Sequence, residues 1–244
     1  MNEAILTDTF SKMGIELTKR QVCQFCDYYS LLVEWNGKMN LTSITEWDEV
    51  VLKHFADSLS VIFLFKDFDD LNDHFSCKTL ADVGTGAGFP GIPLKIVFPD
   101  LKVTLMDSLD KRVKFLREVC DKLELEDISC VHGRVEDLAR MAEYREAFDF
   151  ATARAVASLP VLSEYCLPFV KENGIFIAYK SEKAEEELKS SENALSVLKG
   201  KVTDKRTFVL PDSDLSRTIL FINKCGKLSN KYPRKAGTPS KQPL

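Results

Sequence analysis

LADVGTGAGFPGIPL, residues 80–94, is the stretch whose reading decides the fold. A short apolar strand ends in a turn rich in glycine and passes into an apolar segment of helical length. Gly84, Gly86 and Gly88 have no Cβ, so the backbone can take positive φ and approach a ligand that any side chain would strike. A second apolar strand, Val103–Met106, ends at Asp107, 23 residues past Gly84. A carboxylate at that strand end can accept both hydroxyls of a ribose, so the two strand ends together point to a nucleoside pocket.

Gly86, Gly88 and Gly91 also satisfy the literal G-x-G-x-x-G spacing, which raises a nicotinamide-dependent oxidoreductase as an alternative. A pyrophosphate needs free amides at the helix N-terminus, and Pro90 and Pro93 each remove one. The pocket therefore suits a ligand with ribose and adenine but no phosphate. S-adenosylmethionine is the commonest such cofactor. A tight strand-to-helix turn would explain the glycines alone but not the second acidic strand end.

At 244 residues the chain can bury a full core, as one large domain or as one domain with an extension. Its 45% hydrophobic and 29% charged residues are those of an ordinary globular protein, and no apolar run is long enough to span a bilayer. The first ten residues carry Glu3 and Asp8 without a basic start, so no membrane partner and a cytoplasmic location are expected. Among seven scattered cysteines only Cys23 and Cys26 have C-x-x-C spacing, with no second pair to complete a zinc site. They are expected as buried thiols on a helix in a reducing compartment. Three dispersed histidines add no metal motif, so no metal is expected.

The net charge of −4 hides an asymmetry: residues 199–244 hold 11 Lys and Arg against 3 Asp and Glu, which is +8, leaving −12 on residues 1–198. A basic end on an acidic body fits a polyanion binder, and equally fits a solvated tail.

Residues 18–35 place Val22, Phe25, Cys26, Tyr29, Leu32 and Val33 near i, i+3, i+4, i+7 spacing, predicting a helix with one buried face. Residues 47–65 do the same with Val50, Val51, Phe55, Leu59 and Ile62, and a polar run at 66–73 separates them from the glycine strand. Residues 1–75 thus read as an N-terminal helical extension on a main domain of residues 76–244. Within that domain, strands are predicted at 79–83, 103–106, 128–132, 148–153, 174–179, 202–210 and 219–223. Apolar stripes such as Val113, Leu116, Val119 and Leu123 fall between them. This alternation predicts an α/β, Rossmann-like sheet of seven strands, mostly parallel, with helices on both faces. The last two strands have no convincing helix between them and should form an antiparallel pair. Such a sheet is the architecture of most adenosylmethionine-dependent methyltransferases. After Lys224 an irregular tail is expected.

Further loops should line the same crevice, because ligands of open α/β sheets bind beyond the strand ends. After the third strand, backbone groups at Val135 and Glu136 can meet the adenine edge. The competing reading is that the two acids after Val135 merely favour a helix start. After the fourth strand, Arg154 is the only charge among small residues. It suits the methionine carboxylate of the cofactor or an incoming base, with a structural ion pair as the competing role. Lys180 is a weaker candidate of the same kind. His54, Asp57 and Ser58 lack a nucleophile elbow and read as packing and hydrogen-bonding residues near the cleft. In the tail, Lys231, Arg234 and Lys235 interleave with Tyr, Pro and Gly, which suits an extended segment contacting phosphates, with plain disorder as the alternative.

Taken together, residues 82–94 with DSLDKR at 107–112, HGR at 132–134, ARAVA at 153–157 and YPRKAGTP at 232–239 closely resemble the bacterial small-subunit (16S) ribosomal RNA guanine-N7 methyltransferases. That family is also called glucose-inhibited division protein B. NLT at 40–42 and HFADS at 54–58 extend the similarity over nearly the whole chain, and the tail motif is more specific than the glycine loop. The resemblance implies cofactor contacts at Gly84, Phe89, Val135, Glu136 and Arg154, to which the turn and ribose arguments add Gly86 and Asp107. Val135 stands where many relatives have Ala. Ribosomal RNA or the small subunit becomes the expected partner, with Asn40, Lys180, Lys231, Arg234 and Lys235 as candidate RNA contacts.

Guanine N7 carries an unprotonated lone pair at neutral pH, so the implied methyl transfer to N7 needs no general base, and no catalytic residue is expected beyond Arg154 as an orienting group. The target base should be single-stranded or extruded from its stack. A non-catalytic RNA-binding factor on a degenerate fold is a third reading, against which the intact glycine loop and Asp107 argue.

Overall fold

The computed structural model describes residues 1–244. Its strands are β1 (Thr79–Val83), β2 (Lys102–Asp107), β3 (Ile128–His132), β4 (Phe148–Arg154), β5 (Val170–Lys180), β6 (Gly200–Val209) and β7 (Ser216–Lys224). They form one sheet in the order β3-β2-β1-β4-β5-β7-β6. The first five run parallel, and β7 lies antiparallel between β5 and β6. Every strand expected from the sequence is present. The order reverses between β1 and β4, which opens a crevice beyond their carboxyl ends.

The pleat distributes side chains to two cores. Leu80, Leu105, Phe150, Ile177 and Phe221 face one apolar cluster, whereas Ala81, Met106, Ala151, Ala178 and Leu220 face the other. The N-terminal helices cover the first face: α1 (Glu3–Lys12), α2 (Lys19–Asn36), α3 (Trp47–Val50), α4 (Asp57–Leu59) and α5 (Phe68–Phe75). They bring Leu6, Phe10, Phe25, Phe55 and Phe75 into the same cluster as β1 and β2, together with α6 (Gly91–Val97) and α7 (Asp110–Lys122). The second face is covered by α8 (Val135–Leu138), α9 (Leu159–Cys166), α10 (Ala184–Ser190) and α11 (Glu192–Val197). A last short helix, α12 (Thr238–Lys241), lies in the tail.

Four details depart from the sequence reading. The polar run at 66–73 is mostly helix: Asp67 caps α5 by accepting from the Asp70 amide, and Leu71 and Phe75 bury one side at i, i+4 spacing. Helix α1 lies outside the predicted helices, although Leu6 and Phe10 supply the same two-residue stripe. Helix α2 starts at a Thr18–Gln21 capping box and buries Val22, Phe25 and Leu32 as expected, but with Tyr28 rather than Tyr29, and Val33 is exposed. That rotation leaves Cys23 exposed and Cys26 half-buried, not the buried pair expected. Between α3 and α4 the helix widens into a π-helical turn, Val51–Ala56, a feature frequent at functional sites.

Candidate functional site

Asp82 organises the loop after β1. Its Oδ2 accepts from Thr85 Oγ1 at 2.6 Å and from the Gly91 amide at 2.8 Å, tying the turn to the start of α6. The carboxylate is fully buried, and that burial pushes its pKa up to about 6 against the pull of those two hydrogen bonds. Gly88 has φ +100°, and a Cβ there would lie 2.5 Å from Ile92 Cδ1 and 2.6 Å from the Tyr28 hydroxyl. The Tyr28 hydroxyl in turn donates to the Ala87 carbonyl at 2.5 Å, so α2 supports the turn from beneath.

The amides from Gly88 into the start of α6, where a pyrophosphate would sit, are already engaged. Those of Gly88 and Phe89 donate to the Thr85 carbonyl, that of Gly91 to Asp82, and that of Ile92 to the Gly88 carbonyl. Proline occupies positions 90 and 93. This arrangement removes the anion site that the G-x-G-x-x-G spacing would otherwise provide.

Asp107 at the end of β2 is buried and reaches back to the turn: Oδ2 accepts from the Gly86 amide at 3.0 Å and Oδ1 from the Leu109 amide at 2.9 Å. These bonds hold the carboxylate rigid at the cavity wall while leaving further lone pairs. The cavity has a volume of about 490 Å³, and its walls include all seven of Gly84, Gly86, Phe89, Asp107, Val135, Glu136 and Arg154. The two buried side-chain polar atoms without a hydrogen bond, Asp82 Oδ1 and Arg112 Nε, both belong to this corner of the fold, and Arg112 lines the cavity. Size, glycine cradle, unmet donor capacity and absence of a phosphate nest all fit adenosylmethionine.

The C-terminal tail completes that wall, with Gly237 and Ser240 lining the cavity. The Gly237 amide donates to Glu136 Oε1 at 2.8 Å, so the Glu136 carboxylate holds the tail and leaves its backbone for an adenine edge. Arg145 donates to the Tyr232 and Leu228 carbonyls. Arg234, expected as an RNA contact, is instead forked onto the buried Glu164 of α9, with Nη2 to Oε2 at 2.7 Å. Lys180, another such candidate, is buried in a 2.6 Å ion pair with Glu187. Both departures have one cause: a carboxylate 70 positions away, or on the next helix, neutralises a cation that looks free along the chain. Asn40, Lys231 and Lys235 remain exposed.

Arg154 stands between two cavities. Its Nη1 donates to Asp57 Oδ2 at 2.8 Å and to the Lys53 and His54 carbonyls of the π-helical turn at 3.2 and 3.3 Å. The ion-pair role weighed for Arg154 is therefore present. Its guanidinium also sits 5.1 Å from the Phe89 ring centroid, and Phe89 stacks on His54 at 4.6 Å. Burial, then the nearby Arg154 charge, drives the His54 pKa down to about 4, so this imidazole is neutral near pH 7. Beyond Arg154 lies a second cavity of about 380 Å³, which shares His54, Arg154 and Ala155 with the first. Arg217 of β7 lines it and donates to Asp57 Oδ1 at 2.9 Å.

Arg217, Glu187, Glu164 and Tyr28 escaped the sequence reading. Glu164 had a signal, being the only charge in the apolar segment LPVLSEYC. The other three had none, because their roles depend on partners distant in sequence.

Residues 21–216 match the family model GidB, described as rRNA small subunit methyltransferase G. A ribosomal RNA small subunit methyltransferase G of Alkaliphilus metalliredigens is 51% identical over 100% of this chain and 99% of its own length. The protein of the same name from Staphylococcus saprophyticus is 52% identical, again over 100% and 99%. Among solved structures, Aeropyrum pernix fibrillarin with natively bound S-adenosyl-L-methionine shares the fold at a TM-score of 0.50 and 11% identity, over 69% of this chain and 76% of that one. The YcgJ protein of Bacillus subtilis does so at 0.50 and 12%, over 70% and 98%.

Proposed function

The chain belongs to the rRNA small subunit methyltransferase G family, and from that premise we propose that it transfers a methyl group from S-adenosylmethionine to N7 of a guanine in small-subunit (16S) ribosomal RNA. The observation that carries the reading is the 490 Å³ cavity, which gathers the glycine turn, Asp107 and the β3 and β4 loops around a space in which the amides at the start of α6 are already engaged and so do not form a phosphate nest. That same feature disfavours a nicotinamide cofactor.

When bound, the cofactor supplies a sulfonium methyl, to which the guanine N7 lone pair forms the new N–C bond as the C–S electron pair returns to sulfur, with no proton moved. The chain's part is to hold and to exclude. Asp107 faces the ribose, backbone groups at Val135 and Glu136 meet the adenine edge, and Gly84 and Gly86 allow close approach. Arg154 works by position: pinned by Asp57 and two carbonyls, it keeps the partition between the cavities rigid. His54, uncharged in this setting, needs no proton to lose or gain. Orientation of this kind lowers the barrier by meeting in advance the entropy cost of bringing nitrogen, methyl and sulfur into line. Exposed Asn40, Lys231 and Lys235 are available to RNA phosphates.

The test is tritium-methyl transfer to small-subunit RNA from a strain lacking this protein, followed by mapping of the modified base. Label at one guanine, cleavable after borohydride and aniline as N7-methylguanine is, is the expected result. Absence of label, or label on another base or atom, would overturn the reading.

A further inference from the structure

The geometry points to the 380 Å³ cavity as the seat of the extruded guanine, with the Glu187 carboxylate reading the N1–H and 2-amino donors on its far edge. This rests on the proposed guanine-N7 reaction and goes on to name how the base is chosen. The cavity opens beyond the ends of β4 and β5 and touches the cofactor cavity only through His54, Arg154 and Ala155. A base delivered to that shared wall must present N7 toward it, which turns the opposite, Watson–Crick edge toward the remaining lining, where Lys180, Glu187 and Arg217 lie.

Two carboxylates line this space, and they are not equivalent. Asp57 has one oxygen engaged by Arg154 and the other by Arg217. Glu187 has Oε2 engaged by the Leu159 amide at 2.6 Å and by Lys180 at 2.6 Å, while Oε1 receives no hydrogen bond. Its neighbours Glu185 and Glu186 on α10 are exposed, so Glu187 alone of this acidic run turns to the cavity. The Leu159 hydrogen bond and the Lys180 ion pair at Oε2 fix the carboxylate, and a fixed acceptor is what base reading requires. Guanine presents adjacent N1–H and N2–H donors on that edge, which a carboxylate accepts with charge assistance. Adenine would set its N1 lone pair against the same oxygen, an unfavourable pairing that rejects it.

Inosine lacks only the 2-amino group, so it isolates this contact. The substrate is small-subunit RNA ligated from synthetic pieces, with guanine or inosine at the mapped position, and the enzyme is wild type or Glu187→Gln. Wild type should methylate the inosine RNA with kcat/KM lowered about 10- to 100-fold, the loss expected for a hydrogen bond to a charged group. Glu187→Gln should fall on guanine RNA toward the inosine value and show a guanine-to-inosine ratio within about twofold of unity. Adenosylmethionine affinity, measured by calorimetry, should stay within about twofold, since Glu187 does not line the cofactor cavity. Equal wild-type rates on both RNAs, or an undiminished ratio in Glu187→Gln, would overturn the assignment, and the wild-type arm does so without any variant. No methylation of the guanine RNA by wild type would instead overturn the reaction itself.

Discussion

Replacing Arg234 by Ala should release the C-terminal tail and weaken cofactor binding before it destabilises the sheet. Four hydrogen bonds join Arg234 to Glu164: the backbone amide at 2.6 Å, Nε to both carboxylate oxygens at 3.0 and 3.1 Å, and Nη2 at 2.7 Å. Glu164 is 1% exposed, so the alanine variant strands a buried carboxylate with a single amide for a partner. Removing one member of a buried pair costs about 3–5 kcal/mol. The chain can avoid part of that cost by lifting residues 233–244 and letting water reach Glu164, so the loss is bounded by the docking free energy of the tail. In the tail-opening equilibrium this is roughly a hundredfold to several-thousandfold. Gly237 and Ser240 line the cofactor cavity, and a wall docked a tenth of the time raises the apparent Kd about tenfold.

Hydrogen exchange of the tail amides, read by mass spectrometry, and calorimetric titration with adenosylmethionine measure the two effects. Arg234→Lys should fall between wild type and alanine, because an ammonium cannot fork onto both oxygens. The reasoning is refuted if the alanine variant keeps its tail protection and cofactor affinity and loses only RNA affinity with a shallower salt dependence. That pattern would make Arg234 a phosphate contact.

Two other perturbations probe the glycine loop. Gly88→Ala should lose about 2–4 kcal/mol in a denaturant melt, combining left-handed strain with overpacking against Ile92 and Tyr28, whereas Gly86→Ala, with nothing within 4 Å of its Cβ, should lose only about 1–2 kcal/mol from strain; equal losses would sink the packing argument. The second concerns pH. The Asp82 carboxyl keeps its proton in the fold up to about 6 but in the unfolded chain only to 3.8, so its contribution to stability falls as pH rises between those values. His54 has the opposite sign: it stays neutral in the fold down to about 4 but protonates near 6.5 when unfolded, so its contribution is lost as pH falls through that window. Each effect amounts to about 2 kcal/mol between pH 6.5 and 4.5, so they nearly offset in the wild type. Asp82→Asn should expose the His54 slope, with a melting temperature that drops on acidification over that range more steeply than wild type. Parallel wild-type and variant profiles would show that Asp82 does not carry the compensating titration.

Legibility followed the range of the interactions. All seven strands could be read because each is an apolar run bounded by turn residues, and the cofactor cavity could be read because its glycines and Asp107 lie on consecutive strand ends. Short helices such as α5 were lost because two buried residues make too little periodicity, and Lys66 and the run of aspartates imitate a linker. The π-helical turn was lost because a stripe sampled at 3.6 residues per turn cannot show one extra residue. Hardest to read were the ion pairs. Arg154 and Asp57 are 97 positions apart, Arg217 and Asp57 160, and Arg234 and Glu164 70, so the lone arginine of a small-residue run and the basic tail both looked available to ligands.

That pairing bears on the chemistry. Alkylation of a neutral guanine at N7 moves one positive charge from sulfur to the base, so an uncompensated cation beside N7 would oppose the transfer as that charge develops. The partition between the cavities is built accordingly. His54 is held neutral, and Arg154 has Asp57 at 2.8 Å. Lys180 has Glu187, and only the sharing of Asp57 with Arg217 leaves one positive charge, which lies on the β7 side. A cation there faces the cavity assigned to the nucleotide, where an RNA phosphate is the natural counter-charge, while the partition itself stays free of net charge. An enzyme that needed a general base would have spent His54 on it. Here Phe89 stacks against His54 and burial suppresses its ionisation, which suits a wall that only positions a nucleophile already able to react.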